Sequence, residues 1–277
     1  MFKSIPPIVL MLAASVTLCA QEPDYPYPGG EKADTTASVF APGMVSGPAQ
    51  EYGLTADRAW SEIYFTRLEG DQSVVMVTLR AGGSWSEPVQ ASFSGEFIDA
   101  HPLLTPDEQR LIFVSRRPCP GAQQALNVWV MERTPEGWSA PESLGRPVTE
   151  QTVHAPSVAS SGNIYATGLV RLRFSGDRYT SPEPLVPPVT GSHPAIASDE
   201  SFLVFSARRD GGFGSNDLYV VFREDDGTWS QPKNLGAGVN TESVESSPTL
   251  SNDGKFLFFS RRDDIWWVDA EVIQAVR

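Results

Sequence analysis

Short apolar runs separated by turn residues recur along the chain and predict strands. The clearest copy reads HPAIASDESFLVFSARR over 193–209, where two apolar runs flank an Asp-Glu turn. Runs of four to eight residues rich in β-branched and aromatic side chains, bounded by Gly, Pro, Asn or Asp, are typical of β-strands. Beyond the first twenty residues no long segment shows the period of an amphipathic helix. The pattern therefore predicts an all-β protein.

This phrase is repeated. HPLLTPDEQRLIFVSRR (101–117) and SPTLSNDGKFLFFSRR (247–262) are close copies, EYGLTADRAWSEIYFTR (51–67) is a looser one, and APSVASSGNIYATG (155–168) is a shortened one. With 193–209 there are five copies. A unit repeated at about this spacing buries its apolar face against its neighbours, so the repeat determines the fold.

A second phrase, an aromatic residue followed by Ser or Thr and then by Pro three places after the aromatic, runs in phase with the first. Its copies begin at Trp85, Trp138, Tyr179 and Trp229, at intervals of 53, 41 and 50 residues. We interpret it as an outer strand whose ring packs between neighbouring units, with Pro at an edge that needs no hydrogen-bond donor.

Each unit thus contains four strands, which is typical of a β-propeller blade. The last unit has three strands before the chain ends, and TASVFAPGMVSG (36–48) matches the register that follows the aromatic-Ser-x-Pro phrase. We therefore predict that this N-terminal strand completes the last blade and covers its edge. The prediction is a propeller of four-stranded antiparallel blades, five in number, with six as the alternative.

The segments PTLSNDGKFLFFSRRDDIWWVDA and PAIASDESFLVFSARRDGGFGSNDLYVVF, with the Trp-Ser-x-Pro strands, resemble the TolB-like, WD40-like β-propeller repeat of bacterial periplasmic and envelope proteins. The resemblance implies a bacterial exported propeller. It does not select a function, because this fold carries many activities and function depends on the site.

The N-terminal twenty residues predict export. Lys3 precedes the apolar run IPPIVLMLAASV, which is too short to span a bilayer, and cleavage is expected after Ala20 or just before Cys19. Lipidation of Cys19 is the alternative to simple cleavage after Ala20; it would give a lipoprotein, and the lipid anchor would be its only contact with a membrane. We interpret residues 21–35 as a flexible tether and residues 36–277 as a single propeller domain. We expect the protein to be monomeric and either periplasmic or associated with the outer membrane.

Charge excludes one class of partner. The formal net charge is −13 over 277 residues, whereas nucleic-acid binding requires clustered Lys and Arg. Cys119 is the only cysteine of the predicted domain, so an internal disulfide is not expected.

The three histidines, His101, His154 and His193, fall at one phase of the repeat, just before the innermost strand of a blade. This phase predicts side chains at the mouth of the central channel, where they can contact a ligand. Zinc also takes His ligands. Because the three lie on different blades, and His154 is offset by one residue, we expect neither a metal nor another cofactor.

Charged residues share this end of the repeat. Predicted ligand contacts are Asp99, Glu245, Arg67, Arg117, Arg209 and Arg262, because arginine holds carboxylate or phosphate groups through paired hydrogen bonds. The alternative role for the arginines is bracing of each blade against an aspartate before the third strand, such as Asp217 or Asp264.

The leading hypothesis is an exported, non-enzymatic propeller that binds an envelope protein, peptide or glycan at the channel mouth. No serine-hydrolase elbow or zinc-protease motif is present in the sequence. The alternative is a carbohydrate-active enzyme, because glycoside hydrolases use paired carboxylates. Its candidate acids are Glu51, Asp99 and Glu245.

Overall fold

The computed structural model describes residues 26–28, 33–122, 126–150 and 153–277. Their strands form five antiparallel sheets arranged as a β-propeller. The strands, in chain order, are β1 Ser38–Val39, β2 Glu51–Ala56, β3 Glu62–Glu69, β4 Gln72–Ala81, β5 Ser84–Trp85, β6 Val89–Gln90, β7 Asp99–Leu104, β8 Arg110–Ser115, β9 Asn127–Thr134, β10 Gly137–Trp138, β11 Glu142–Ser143, β12 Ser157–Val158, β13 Ile164–Ala166, β14 Val170–Leu172, β15 Glu183–Pro184, β16 Ser192–Ile196, β17 Phe202–Ala207, β18 Asp217–Phe222, β19 Lys233–Asn234, β20 Glu245–Leu250, β21 Phe256–Arg261 and β22 Asp264–Asp269.

Each sheet is one blade, and the first strand of each repeat lies innermost. Blade 1 contains β2 to β6, blade 2 contains β7 to β11, blade 3 contains β12 to β15, blade 4 contains β16 to β19, and blade 5 contains β20 to β22 with β1. The prediction of five blades is therefore confirmed. A 3-10 turn at Val148–Glu150 and helix α1 at Glu271–Gln274 complete the described elements.

The N-terminal strand closes the ring as predicted. Ser38 pairs with Trp267 and Val39 with Trp266, so β1 is the outer strand of blade 5. The next residue, Phe40, is fully buried and stacks edge-on against Phe258 at 5.1 Å between ring centroids. Without this strand, β22 would present an unpaired edge.

Part of the predicted tether is packed against the propeller. The ring of Tyr27 is buried and lies edge-on to Trp60, Phe256 and Trp267, at 4.8, 5.0 and 5.7 Å between centroids. The carbonyl oxygen of Pro26 accepts a hydrogen bond from the indole of Trp85 at 3.1 Å. Residues 26–28 therefore differ from a flexible tether, because aromatic burial fixes them at the junction of blades 5 and 1.

The cores of the described region lie between the blades. Five buried apolar clusters are present, one at each contact between successive blades. On β3, Ile63 and Phe65 face blade 5 whereas Tyr64 faces blade 2. This alternation follows from the two-residue period of a strand, and it explains why the strands are apolar on both faces.

The outer strands explain the aromatic-Ser-x-Pro phrase. The indole of Trp138 donates to the hydroxyl of Tyr64 in blade 1 at 2.9 Å, and Trp229 lies edge-on to Tyr165 of blade 3 at 6.3 Å. These two rings therefore pack against the preceding blade. In blades 1 and 2 the outer strand is interrupted at the Pro of the phrase, giving two short pieces each.

The Ser or Thr of the phrase replaces the missing ladder bonds. At Ser139, the backbone N–H donates to the carbonyl oxygen of Glu132 at 2.9 Å, and the side-chain hydroxyl accepts from the N–H of Glu132 at 3.0 Å. The same pair of bonds occurs at Ser86, Thr180 and Ser230. This one Ser or Thr therefore holds the outer segment to the third strand. It stands two residues before the Pro, which has no backbone N–H to donate.

In the described part of the chain, no helix is long and apolar enough to cross a bilayer. Helix α1 instead buries Val272 and Ile273 in the cluster between blades 4 and 5. Residues 1–20, including Cys19, lie outside the described residues, so the predicted signal peptide and lipidation stay predictions.

Candidate functional site

A bulge near the start of the innermost strand recurs in four blades. The ladder register shifts there, and the bulged residue has a positive φ. The four residues are Gly53 (φ 59°), His101 (51°), His193 (50°) and Ser247 (51°). A bulge adds one residue and re-aims its side chain, and non-glycine residues at such φ values are uncommon and strained. The repeat therefore keeps a costly backbone conformation at this position.

The bulges bring two histidines together. His101 of blade 2 and His193 of blade 4 face each other with ring centroids 5.9 Å apart, although blade 3 lies between these blades in the ring. The ring of Tyr52 lies 5.0 Å from that of His101. The backbone N–H of His101 donates to Thr66 Oγ1 of blade 1 at 2.9 Å, which fixes the bulge.

Glycine at position 53 is explained by this arrangement. A Cβ at Gly53 would lie 2.8 Å from Nδ1 of His101 and 3.2 Å from its Cα. The backbone of blade 1 therefore approaches the imidazole more closely than a side chain would allow.

Tyr52, His101 and His193 line an open cavity of about 720 Å³ at one mouth of the channel. The cavity lies within the usual size range of small-molecule sites. Its lining residues are Gln50, Tyr52, His101, His193, Ser243, Val244, Ser246, Ser247, Ser260, Arg262 and Asp263. The lining is thus rich in hydroxyls and carries one exposed cation, Arg262, next to one exposed anion, Asp263.

Partial burial lowers the pKa of both facing imidazoles. Removal from water lowers the pKa of His101 to about 3, with a further contribution from repulsion by His193 and His154. Burial, with repulsion by His154, lowers the pKa of His193 to about 4. A neutral imidazole carries one donor and one acceptor nitrogen. The pair therefore offers hydrogen bonds of both kinds without a net charge at neutral pH.

His154 belongs to the same end of the channel. Its side chain is exposed, its backbone N–H donates to Thr167 Oγ1 at 3.2 Å, and its charge acts on both other imidazoles. The structure therefore brings the rings of His101 and His193 to 5.9 Å between centroids and places His154 near them.

The predicted carboxylates have a different environment. Glu51 pairs with Arg67 (2.9 Å), Asp99 with Arg117 (3.0 Å) and Glu245 with Arg261 (2.8 Å), and the three acid side chains have no exposed surface. Burial raises the pKa of the Glu51 and Asp99 carboxyls, and the arginine partners oppose that shift. These acids brace the strands and do not line the cavity.

The arginines are held by more than the ion pair. Arg261 donates to the carbonyl oxygen of Val239 and stacks over Trp266, with its guanidinium carbon 4.2 Å from the ring centroid. Arg117 similarly donates to the carbonyl oxygen of Phe93. This favours the bracing role over ligand contact. The partners differ from those we predicted, because the acid comes from the innermost strand and not from before the third strand.

Asp217, Arg261 and Arg262 show how the observed ion pairs differ from the predicted ones. Asp217 accepts hydrogen bonds from the N–H groups of Phe213 and Gly214 at 2.7 and 3.0 Å, so it shapes the glycine-rich loop. The blade 5 pair uses Arg261, whereas its neighbour Arg262 lines the cavity.

Blade 4 has the arginine without the acid. Gly191 occupies the position of the acid, and a Cβ there would lie 2.4 Å from the ring of Phe205. Arg209 donates to the carbonyl oxygen of Thr190 at 2.9 Å and lies over Tyr219 at 5.3 Å. In the described chain, no carboxylate forms an ion pair with Arg209, so the hydrogen bond to Thr190 and the ring contact hold this guanidinium.

The described residues contain no group of three or more His, Cys, Asp or Glu side chains arranged as metal ligands. By its lining residues, the site is a hydroxyl-rich surface without net charge, beside two imidazole rings and one phenol ring. Sequence reasoning missed Tyr52, Ser260 and Ser247. Ser247 was detectable, because SPTLSND repeats HPLLTPD with Ser in the place of His101.

The described fold is a five-bladed β-propeller, and comparison with known proteins supports that class. No protein-family model matches the sequence, and no curated protein matches it. No family model therefore confirms the resemblance to the TolB-like repeat family.

Solved structures share the fold at low identity. TolB from Acinetobacter baumannii matches with 10% identity and a TM-score of 0.50, over 80% of this chain and 55% of that one. A putative TolB from Agrobacterium tumefaciens matches with 13% identity and a TM-score of 0.50, over 78% and 71%. An α-L-arabinofuranosidase from Podospora anserina in complex with cellotriose matches with 11% identity and a TM-score of 0.53, over 86% and 98%. These likenesses concern the fold alone.

Proposed function

We propose that this protein is an exported, non-enzymatic binding platform that takes a ligand at the channel mouth around His101 and His193. The ligand class is an envelope protein, peptide or glycan. The observation that carries the proposal is the contact between two neutral imidazoles from different blades across an open cavity. Strained backbone at both histidines supports it, because such strain persists mainly at functional sites.

The hydrolase alternative has less support from the geometry. A glycosidase needs two carboxyl groups that reach the scissile bond from either side. The side chains of Glu51, Asp99 and Glu245 are buried against arginines. We therefore favour binding over catalysis.

The test compares probes of three classes against matched variants. Purified cell-wall glycan fragments, short peptides and envelope protein fractions are each immobilised and titrated with the wild type, with His193→Ala and with Ser198→Ala. Ser198 lies at the opposite mouth, because β16 runs from His193 to the cavity that Ser198 lines. We expect one class to bind wild type and Ser198→Ala equally, and His193→Ala at least about tenfold more weakly.

Two results would overturn the proposal. One is an absence of binding by every class. The other is release of reducing sugar from the glycan fragments by wild type, with loss of that release in Asp99→Asn, since this would make the protein an enzyme.

A further inference from the structure

We propose that the channel mouth binds an uncharged sugar residue. This inference rests on the proposed function and specifies its ligand class. It derives from four properties of the cavity: hydroxyl-rich lining, a hydroxyl without a partner, an aromatic wall, and balanced charge.

The lining carries many uncharged polar groups in a small area. Four serines, Gln50 and the two neutral imidazoles surround the cavity. Serine hydroxyls and neutral imidazoles both donate and accept hydrogen bonds. A sugar also presents hydroxyls that donate and accept. Each sugar hydroxyl can therefore pair with the lining either as a donor or as an acceptor.

One buried hydroxyl of the lining has no partner in the described chain. Ser260 is 7% exposed, and its Oγ makes no hydrogen bond to the residues that the structure describes. The equivalent hydroxyls are satisfied: Thr66 Oγ1 accepts from His101, and Ser206 Oγ donates to the carbonyl oxygen of Glu245 at 2.8 Å. Buried polar groups are normally paired. Ser260 lines the cavity, so a ligand hydroxyl, directly or through one water, would satisfy its Oγ once a small shift of the lining exposes that buried atom.

The rings of Tyr52 and His101 provide a wall of the cavity. Their centroids are 5.0 Å apart, and the phenol hydroxyl of Tyr52 is hydrogen-bonded to Ser73 at 2.7 Å. A sugar ring has an apolar face of C–H groups and a polar edge. Ligand sites combine an apolar or aromatic surface with a few placed polar groups, and this mouth offers both to one sugar ring.

Charge favours a neutral ligand. The ionised side chains that line the cavity are Arg262 and its neighbour Asp263, and they have opposite signs. A phosphate or a peptide terminus normally requires an excess of the opposite charge. An uncharged sugar requires none, and Arg262 can still donate to its hydroxyls.

The experiment uses the purified protein and named probes. Glucose, galactose, arabinose and N-acetylglucosamine, each as the free sugar and as a short oligosaccharide, are titrated to millimolar concentration while the Cε1–H resonances of the histidines are followed by NMR. We expect at least one sugar to shift the resonances of His101 and His193 and to leave exposed control resonances unchanged. Stronger binding by the oligosaccharide than by the free sugar would identify a glycan end as the source.

Two variants separate binding from folding. Ser260→Ala should weaken the binding about fivefold, the effect of one neutral hydrogen bond, and should leave thermal stability unchanged or raise it slightly. Ser206→Ala, the matched control in blade 4, should lower stability and leave affinity unchanged.

The outcomes distinguish the two proposals. If no sugar shifts the resonances but a peptide or protein fraction binds with loss in His193→Ala, the sugar inference is overturned and the binding platform stands. If nothing binds, both fail. Sugar binding that Ser260→Ala leaves intact would overturn the role of the unpartnered hydroxyl.

Discussion

Two positions of the same innermost strand have opposite environments. Glu51, Asp99 and Glu245 stand first on their strands and are buried in ion pairs, whereas the residue two places later is bulged. Residues two apart on a regular strand face the same side. The bulge breaks that rule, so one short segment supplies both an internal brace and a channel-facing group.

The ion pair and the residue at the bulge vary independently between blades. Blade 5 keeps the brace and has Ser247 at the bulge. Blade 4 keeps His193 at the bulge but has Gly191 where the acid would stand. The brace therefore serves folding, and the residue at the bulge is free to serve ligand recognition. Variants at the two positions should separate stability from binding.

Glu245→Ala should give the largest loss. It leaves the guanidinium of Arg261, which is 7% exposed, buried without its carboxylate. Breaking a buried pair in this way costs about 3–5 kcal/mol of the free energy of unfolding. Urea denaturation measures the loss, and Glu224→Ala, an exposed acid of blade 4, should stay within about 0.5 kcal/mol of wild type. Equal midpoints for Glu245→Ala and wild type would contradict the bracing role.

Gly53→Ala tests the close approach at the bulge. The new Cβ would meet Nδ1 of His101 at 2.8 Å, and the φ of 59° disfavours any residue with a Cβ. Together we expect a cost of about 2 kcal/mol in the free energy of unfolding. Gly47→Ala is the matched control, because its Cβ would meet only an ordinary contact at 3.7 Å.

A double-mutant cycle with His101→Gly should recover part of that loss, since the ring that obstructs the Cβ is then absent. Additive losses in the cycle would show that the two residues are not in contact.

The histidine pair predicts a dependence of stability on pH. The folded pKa values, about 3 for His101 and about 4 for His193, lie below the ordinary value of 6.5. Between these limits the unfolded chain binds more protons than the folded one, so the histidine contribution is present above pH 6.5 and is lost as the pH falls toward 4. Each histidine contributes a slope of up to about 1.4 kcal/mol per pH unit.

Other groups titrate in the same pH range, and their contribution to the free energy of unfolding must be subtracted. The pKa values of the Glu51 and Asp99 carboxyls are raised, and raised carboxyl values give a slope of the opposite sign. The measurement is therefore the difference between wild type and His101→Ala/His193→Ala in urea denaturation from pH 7 to pH 5. A double variant with the same pH dependence as wild type would rule out the half-buried, neutral pair.

The architecture could be predicted because the sequence consists of repeats of one blade. Strand patterns and turn residues recur at each blade, and the match between TASVFAPGMVSG and the outer-strand register identified the closing strand. Local signals suffice for such features. Tyr27 was outside this pattern, because its burial depends on Trp60, Phe256 and Trp267, which come from two blades that are distant in sequence.

The site was less predictable because it depends on geometry across the ring. The repeat placed His101 and His193 at one phase, but only the width of the channel determines that their rings meet. Choosing between Arg261 and Arg262 was also beyond the pattern. Arg261 is the last residue of the second strand and Arg262 follows it, and the direction of each side chain at that strand end decides that one pairs with Glu245 and the other lines the cavity.

The smallest expected effect compares two equivalent hydroxyls. Ser206→Ala removes a bond from Oγ to the carbonyl oxygen of Glu245 in the next blade, whereas Ser260→Ala removes a hydroxyl that has no partner in the described chain. The first should lower the free energy of unfolding by about 1 kcal/mol. The second should leave it unchanged or raise it slightly, because a buried hydroxyl without a partner is costly. Thermal denaturation of both variants in one buffer without ligand decides this. A larger loss for Ser260→Ala would mean that the unliganded fold already uses this hydroxyl, and the distinction between bracing groups and ligand-facing groups would then fail at blade 5.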